Sequence, residues 1–124
     1  MIKKTAKHIK VTYWSMKNAV KGIRTAFKSE RNFKTEIVVI TLTFVAAYIL
    51  DFSYIEFSII SISAFCVLGA ELFNTAIEES WNKLHPDHHE TVGKIKDLAS
   101  GGVFLVGLGA ALSGAFILIN HIFV

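Results

Sequence analysis

The apolar run that begins near Ile55 ends on a polar problem: Glu71-Leu72-Phe73-Asn74-Thr75-Ala76-Ile77-Glu78 places two carboxylates and a carboxamide where lipid-facing residues are expected. A helix turns about 100° per residue, so Asn74, Glu78 and Asn82 all fall within roughly 60° of Glu71. One narrow polar stripe therefore runs down an apolar helix, and it must face protein or water. An ionisable group inside a membrane span costs about 2.5–3.5 kcal/mol on insertion scales, which makes it a candidate functional residue by default. A helix simply leaving the membrane would account for Glu78. It accounts less well for Glu71, which is followed by Leu72, Phe73, Ala76 and Ile77.

The rest of the chain supports a membrane setting. Hydrophobic residues make up 52% of the sequence, the mean hydropathy is +0.48, and the apolar residues lie in long runs rather than in a soluble pattern. A span needs about 20 residues to cross roughly 30 Å of hydrocarbon. Three segments qualify, over about 33–50, 55–78 and 98–122. They predict an all-α membrane protein of one domain over 1–124, with its active site built from the bundle and its connections.

Charge gives the topology. Ten Lys and Arg residues precede Ile37, three lie between Lys83 and Lys96, and none follows Asp97. By the positive-inside rule the N-terminus and the connection before the third span are cytoplasmic, and the C-terminus is outside. The basic residues beside the membrane suit anionic lipid headgroups rather than nucleic acid. Over about 3–28 they alternate with Ile9, Tyr13, Trp14, Met16, Val20, Ile23 and Phe27. That pattern lacks the continuous apolar core of a secretory signal and predicts an amphipathic surface helix.

Smaller features carry local expectations. In Ser29-Glu30-Arg31-Asn32-Phe33-Lys34, Ser29 can cap a helix and Glu30 can pair with Lys34 at i,i+4. Asp51 to Tyr54 form a short turn between the first two spans. Gly107 with Ala111, and Ala110 with Gly114, have the small-xxx-small spacing that lets membrane helices approach. Cys66, the single cysteine, is expected to pack as a small hydrophobe. His85, His88 and His89 fit no zinc spacing and are expected in an exposed loop.

With this topology four acidic groups converge at the inner end of the bundle: Glu30, Glu71, Glu78 and Asp97, with Lys94 and Lys96 beside them. Carboxylates at a lipid–water boundary can hold Mg²⁺, which takes one or two protein carboxylates and completes its octahedron with phosphate oxygens and water. With lysines nearby these are the parts phosphoryl transfer needs. No Walker A sequence or kinase glycine-rich loop occurs. A small multidrug-type transporter using Glu71 as a proton site is a competing reading, but such sites lie near the bilayer midplane. A non-catalytic scaffold would not need four acids at one level.

The stretch Glu71 to Glu78, followed by His89, Lys96-Asp97 and Ser100, resembles the bacterial membrane-integral diacylglycerol kinase and undecaprenol kinase family. Lys21-Gly22-Ile23-Arg24 and Ser29 to Phe33 extend the resemblance upstream. It implies a homotrimer of three-span subunits in the bacterial inner membrane, with an N-terminal surface helix, using MgATP to phosphorylate a membrane lipid alcohol. Position by position, it implies Glu71 as catalytic base and Glu30 and Glu78 as metal carboxylates. Asn74 falls on a polar residue beside them, Lys96 on a phosphate-contacting lysine and Asp97 on an acid at the nucleotide side. Lys34 and Glu36 fall where the family has a basic and an acidic residue. Asn82 departs from the family's usual aspartate, and tuning of cation or nucleotide affinity is expected from it. The upstream region leans toward undecaprenol over diacylglycerol as acceptor, with Phe27, Phe33 and Phe73 placed to touch its chain.

Overall fold

The computed structural model of the chain describes residues 2–84 and 90–123, and all of the regular structure among them is α-helix: α1 (Ile2–Ser29), α2 (Arg31–Ile49), α3 (Tyr54–Leu84) and α4 (Glu90–Phe123). The last three are long and apolar enough to cross a membrane. With no water in the hydrocarbon core to satisfy backbone groups, helix is the form open to such runs despite the β-branched residues of α2. The expected surface helix and three spans are all present. The histidine loop, His85 to His89, lies outside the described residues.

The bundle is apolar outside. Val38, Leu42, Val45, Phe65, Phe104, Leu105 and Phe116 are all exposed, an arrangement costly in water but neutral against lipid tails. Cys66 shares that outer surface, so its thiol is not enclosed in the chain's own packing. The buried apolar cluster is small: Ala47, Phe52, Ile60 and Ile117, with Phe44 and Phe57 packed against it.

That cluster is fixed by a well-formed helix end. Asp51 adopts the left-handed conformation at φ 55°, which Asp tolerates better than most residues. The N–H of Phe52 then reaches the Ala47 carbonyl at 3.0 Å and that of Asp51 reaches Tyr48 at 3.2 Å. These two bonds make a Schellman motif, and its usual hydrophobic contact is the burial of Phe52 against Ala47. Directly afterwards Ser53 and Glu56 form a capping box: the Ser53 N–H donates to Glu56 Oε2 at 2.7 Å, and the Glu56 N–H to Ser53 Oγ at 3.4 Å.

At the opposite end the helices outrun the apolar sequence. α3 has 31 residues and α4 has 34, or about 46 and 51 Å at 1.5 Å per residue, against about 30 Å of hydrocarbon. α3 continues six residues past Glu78, and α4 starts eight before Leu98. The polar ends of α3 and α4 therefore project beyond the apolar slab.

Three local expectations change. Glu30, extended at φ −93° and ψ 123°, holds the N-cap position of α2, without a side-chain cap bond; Ser29 instead ends α1. Lys34 Nζ turns away from Glu30 to the Lys28 carbonyl at 2.9 Å, covering a free carbonyl at the end of α1. The glycines of α4 close no contact within the chain, since a Cβ added at Gly107 or Gly114 meets nothing within 4 Å. They instead border an open groove of about 590 Å³ between α2 and α4, floored by α3.

Candidate functional site

The polar stripe of α3 is turned inward, as its phase predicts. Glu71 is 4% exposed and Asn74 8%, and they are the only polar or charged side chains buried among the described residues. The Asn32 side chain of α2 hydrogen-bonds the Glu71 carboxylate, and the acidic groups of Glu30, Glu36 and Glu78 are its charged neighbours. The kink at Glu30 achieves this: by stopping α1 and starting α2 one residue later, it lays Asn32 and Glu36, one turn apart, alongside α3. Phe33, 2% exposed, anchors that crossing. Phe33 is thus part of the protein interior and not of a lipid-contacting surface, whereas Phe27 and Phe73 remain exposed.

Along the same stripe, Asn74 is held from both sides. Its Nδ2 donates to Glu78 Oε1 at 3.2 Å, and Ser100 Oγ of α4 donates to its Oδ1 at 3.5 Å. A buried carboxamide without partners would cost about 1–3 kcal/mol, so these bonds both satisfy Asn74 and orient Glu78. One turn further out, Lys96 Nζ donates to Asn82 Oδ1. Lys96 and Ser100, at i,i+4, are the α4 residues that face the stripe.

Glu30 and Glu78 are half-buried beside Glu71, and each keeps a carboxylate oxygen beyond its single side-chain bond, to Ser29 at 2.8 Å and to Asn74. Among the described residues no three His, Cys, Asp or Glu side chains gather closely enough to hold a metal by themselves. Two carboxylates fit Mg²⁺ that arrives with phosphate oxygens and water, and do not fit a resident all-protein site.

Lys94 and Asp97 stand apart. Both are exposed on α4, and Lys94 lies about 160° around the helix from Lys96, so one chain does not bring it to Glu71. Conversely, two residues given no role by the sequence reading belong to the site. Asn32 holds Glu71. Glu36 borders the groove, and its Oε2 is shut off from solvent with no hydrogen-bond partner among the described residues. The signal for Glu36 was present as a carboxylate directly before the apolar run that opens at Ile37.

The fold and site define a three-span membrane protein with a carboxylate and carboxamide cluster where its bundle meets water. Comparison with known proteins gives that class a family. The family described as prokaryotic diacylglycerol kinase matches residues 17–118. The chain is 31% identical over 101 residues to a diacylglycerol kinase of Escherichia coli (strain K12), covering 82% of this chain and 83% of that one. It is 30% identical over 91 residues to a diacylglycerol kinase of Haemophilus influenzae, covering 73% and 77%. It is 28% identical over 103 residues to an undecaprenol kinase of Bacillus subtilis (strain 168), covering 83% and 84%. The chain belongs to the prokaryotic diacylglycerol kinase family and is a lipid kinase.

Proposed function

We propose that this kinase transfers the γ-phosphoryl group of ATP to the hydroxyl of undecaprenol, at the cytoplasmic face of the bacterial inner membrane. The observation that carries the reading is Glu71: a carboxylate buried in an apolar helix, held by Asn32, with Glu78, Asn74 and Lys96 following it toward water. In the proposed step Glu71 accepts the proton of the lipid hydroxyl, the hydroxyl oxygen bonds to the γ-phosphorus, and the bond from that phosphorus to the β–γ bridging oxygen breaks to release ADP. Glu30 and Glu78 are the carboxylates for Mg²⁺, which when bound neutralises phosphate charge. Lys96, steered by Asn82, contacts phosphate oxygens, and Asp97 and Lys94 serve the nucleotide from the outer turns of α4.

The groove between α2 and α4 supports a seat for the acceptor chain. It is apolar and open, and its polar border, Glu36, neighbours Glu71. The exposure of Lys94 and of Gly101, Gly102 and Gly109 in a single chain supports a homotrimer in which they meet a second subunit. The excess of Lys and Arg before Ile37 supports a cytoplasmic N-terminus and an external C-terminus.

Diacylglycerol as acceptor is the second reading, favoured by the slightly higher identity to the diacylglycerol kinases. Transfer of label from γ-labelled ATP to each extracted lipid tests both. Label in undecaprenol above diacylglycerol supports the first reading, and the reverse order supports the second.

A further inference from the structure

The helix α1 has three faces rather than two. Setting Ile9 at 0° and advancing about 100° per residue, Ile9, Tyr13, Met16, Val20, Ile23 and Phe27 fall within an arc of about 80°. Lys10, Lys17, Lys21, Arg24 and Lys28 fall within an arc of about 60°, centred roughly 90° to one side of it. Ala26, the one residue of α1 buried in the bundle among those whose side chains are described, lies about 170° from the centre of that basic arc. All five cations are exposed, and α1 contains no acidic residue to neutralise them. Lys17 Nζ lies 4.8 Å from the centre of the Trp14 ring, at the arc's far edge, an arrangement typical of side chains at headgroup level.

These directions leave one orientation open. With the apolar arc toward hydrocarbon and Ala26 toward the bundle, the basic arc points sideways at headgroup depth, away from the protein's own helices. A helix merely anchored by its apolar face would carry cations on its water-facing side, opposite the apolar residues. We propose that this flank is a binding surface for the headgroups of anionic phospholipids in the same leaflet. Its row of single-sign charge complements a phosphate-bearing leaflet and no acidic residue of α1 itself. Each cation near such a surface contributes roughly fivefold to local binding. The inference rests on the membrane topology and is independent of the phosphotransfer assignment.

Amine footprinting of the full-length protein in vesicles tests it. The rate at which a water-soluble acylating reagent modifies Lys10, Lys17 and Lys21 is measured by mass spectrometry in phosphatidylcholine, and in phosphatidylcholine with one third phosphatidylglycerol. Lys83, on α3, serves as reference. Protection of the three lysines by fivefold or more with phosphatidylglycerol, relieved by molar salt and absent with inorganic phosphate alone, is the expected result. Tyr13 and Phe27 should stay in contact with hydrocarbon in both vesicles, as read by quenching or labelling from the acyl chains. Equal modification in both vesicle types overturns the proposal. So does protection already complete in phosphatidylcholine, which assigns the flank to a protein contact, and so does equal protection by inorganic phosphate, which makes it a site for soluble anions. In the variant Lys10→Gln/Lys17→Gln, protection of Lys21 by phosphatidylglycerol should fall at least severalfold; unchanged protection would contradict a shared surface.

Discussion

Lys96 Nζ donates to Asn82 Oδ1, tying the second turn of α4 to the last turn of α3. Asn82 thus retains an acceptor for the lysine where family resemblance implies an aspartate, but supplies no charge. A carboxamide gives the lysine a partner without a countercharge, which in the proposed site leaves its charge available to phosphate.

From that bond, Asn82→Ala should raise the KM for ATP by roughly fivefold, about 1 kcal/mol for a solvent-exposed hydrogen bond to a charged group, while kcat changes less. Asn82→Asp should lower the Mg²⁺ concentration needed for half-maximal activity, because it adds a carboxylate to the inner rim. Steady-state kinetics at several Mg²⁺ levels checks both. A KM for ATP unmoved by either change would remove Asn82 from the nucleotide site.

Glu30→Ala and Glu78→Ala should each raise the Mg²⁺ requirement, with partial recovery in excess metal, as follows if each removes one of two carboxylates proposed to share the ion with ATP. Lys96→Ala should weaken ATP use at every Mg²⁺ level. Indistinguishable Mg²⁺ titrations for the lysine and carboxylate variants would erase the division of roles.

Glu36 lines the groove with one oxygen unpartnered. Glu36→Gln should therefore raise the KM for the lipid acceptor and leave the KM for ATP within about twofold, since the change alters a polar contact near the chain and not the phosphate site. An effect confined to ATP would place Glu36 on the nucleotide instead.

The turn between α2 and α3 makes a stability prediction separate from catalysis. Ser53→Ala removes the capping box and should cost about 1 kcal/mol. Asp51→Gly should stabilise by up to about 1 kcal/mol, because glycine adopts φ 55° without a Cβ penalty. Unfolding in graded denaturing detergent measures both, and destabilisation by Asp51→Gly would show that the aspartate side chain contributes something the backbone geometry does not.

Much of this arrangement was legible in the sequence, for reasons that act locally. Apolar length marks the three spans, and the 100° step of a helix puts Glu71, Asn74, Glu78 and Asn82 on one stripe before any packing is known. The same step places Lys94 about 160° from Lys96, a separation the convergence of charges along the chain conceals. Helix ends were harder. Hydropathy stops where lipid stops, whereas the hydrogen bonds of α3 and α4 continue beyond it, so each helix runs past the apolar stretch that marks its span. Phe33 resembled a lipid contact because an aromatic beside a membrane fits either surface or core; its burial depends on how Glu30 turns the chain between α1 and α2. The orphaned oxygen of Glu36 is a tertiary fact, visible once three helices surround it.

In the proposed reaction Glu71 takes the proton from a lipid hydroxyl, and ATP-dependent label transfer by the wild-type enzyme and by Glu71→Gln, each in detergent with saturating MgATP and lipid alcohol, tests this directly. The substitution preserves shape and removes the base, so the wild type should label lipid and the variant should turn over about 10²–10⁴-fold more slowly. Nucleotide binding and detergent stability should be close to wild type. A Glu71→Gln enzyme with wild-type kcat would contradict the assignment, and absence of lipid labelling by the wild type with either undecaprenol or diacylglycerol would contradict the proposed acceptors.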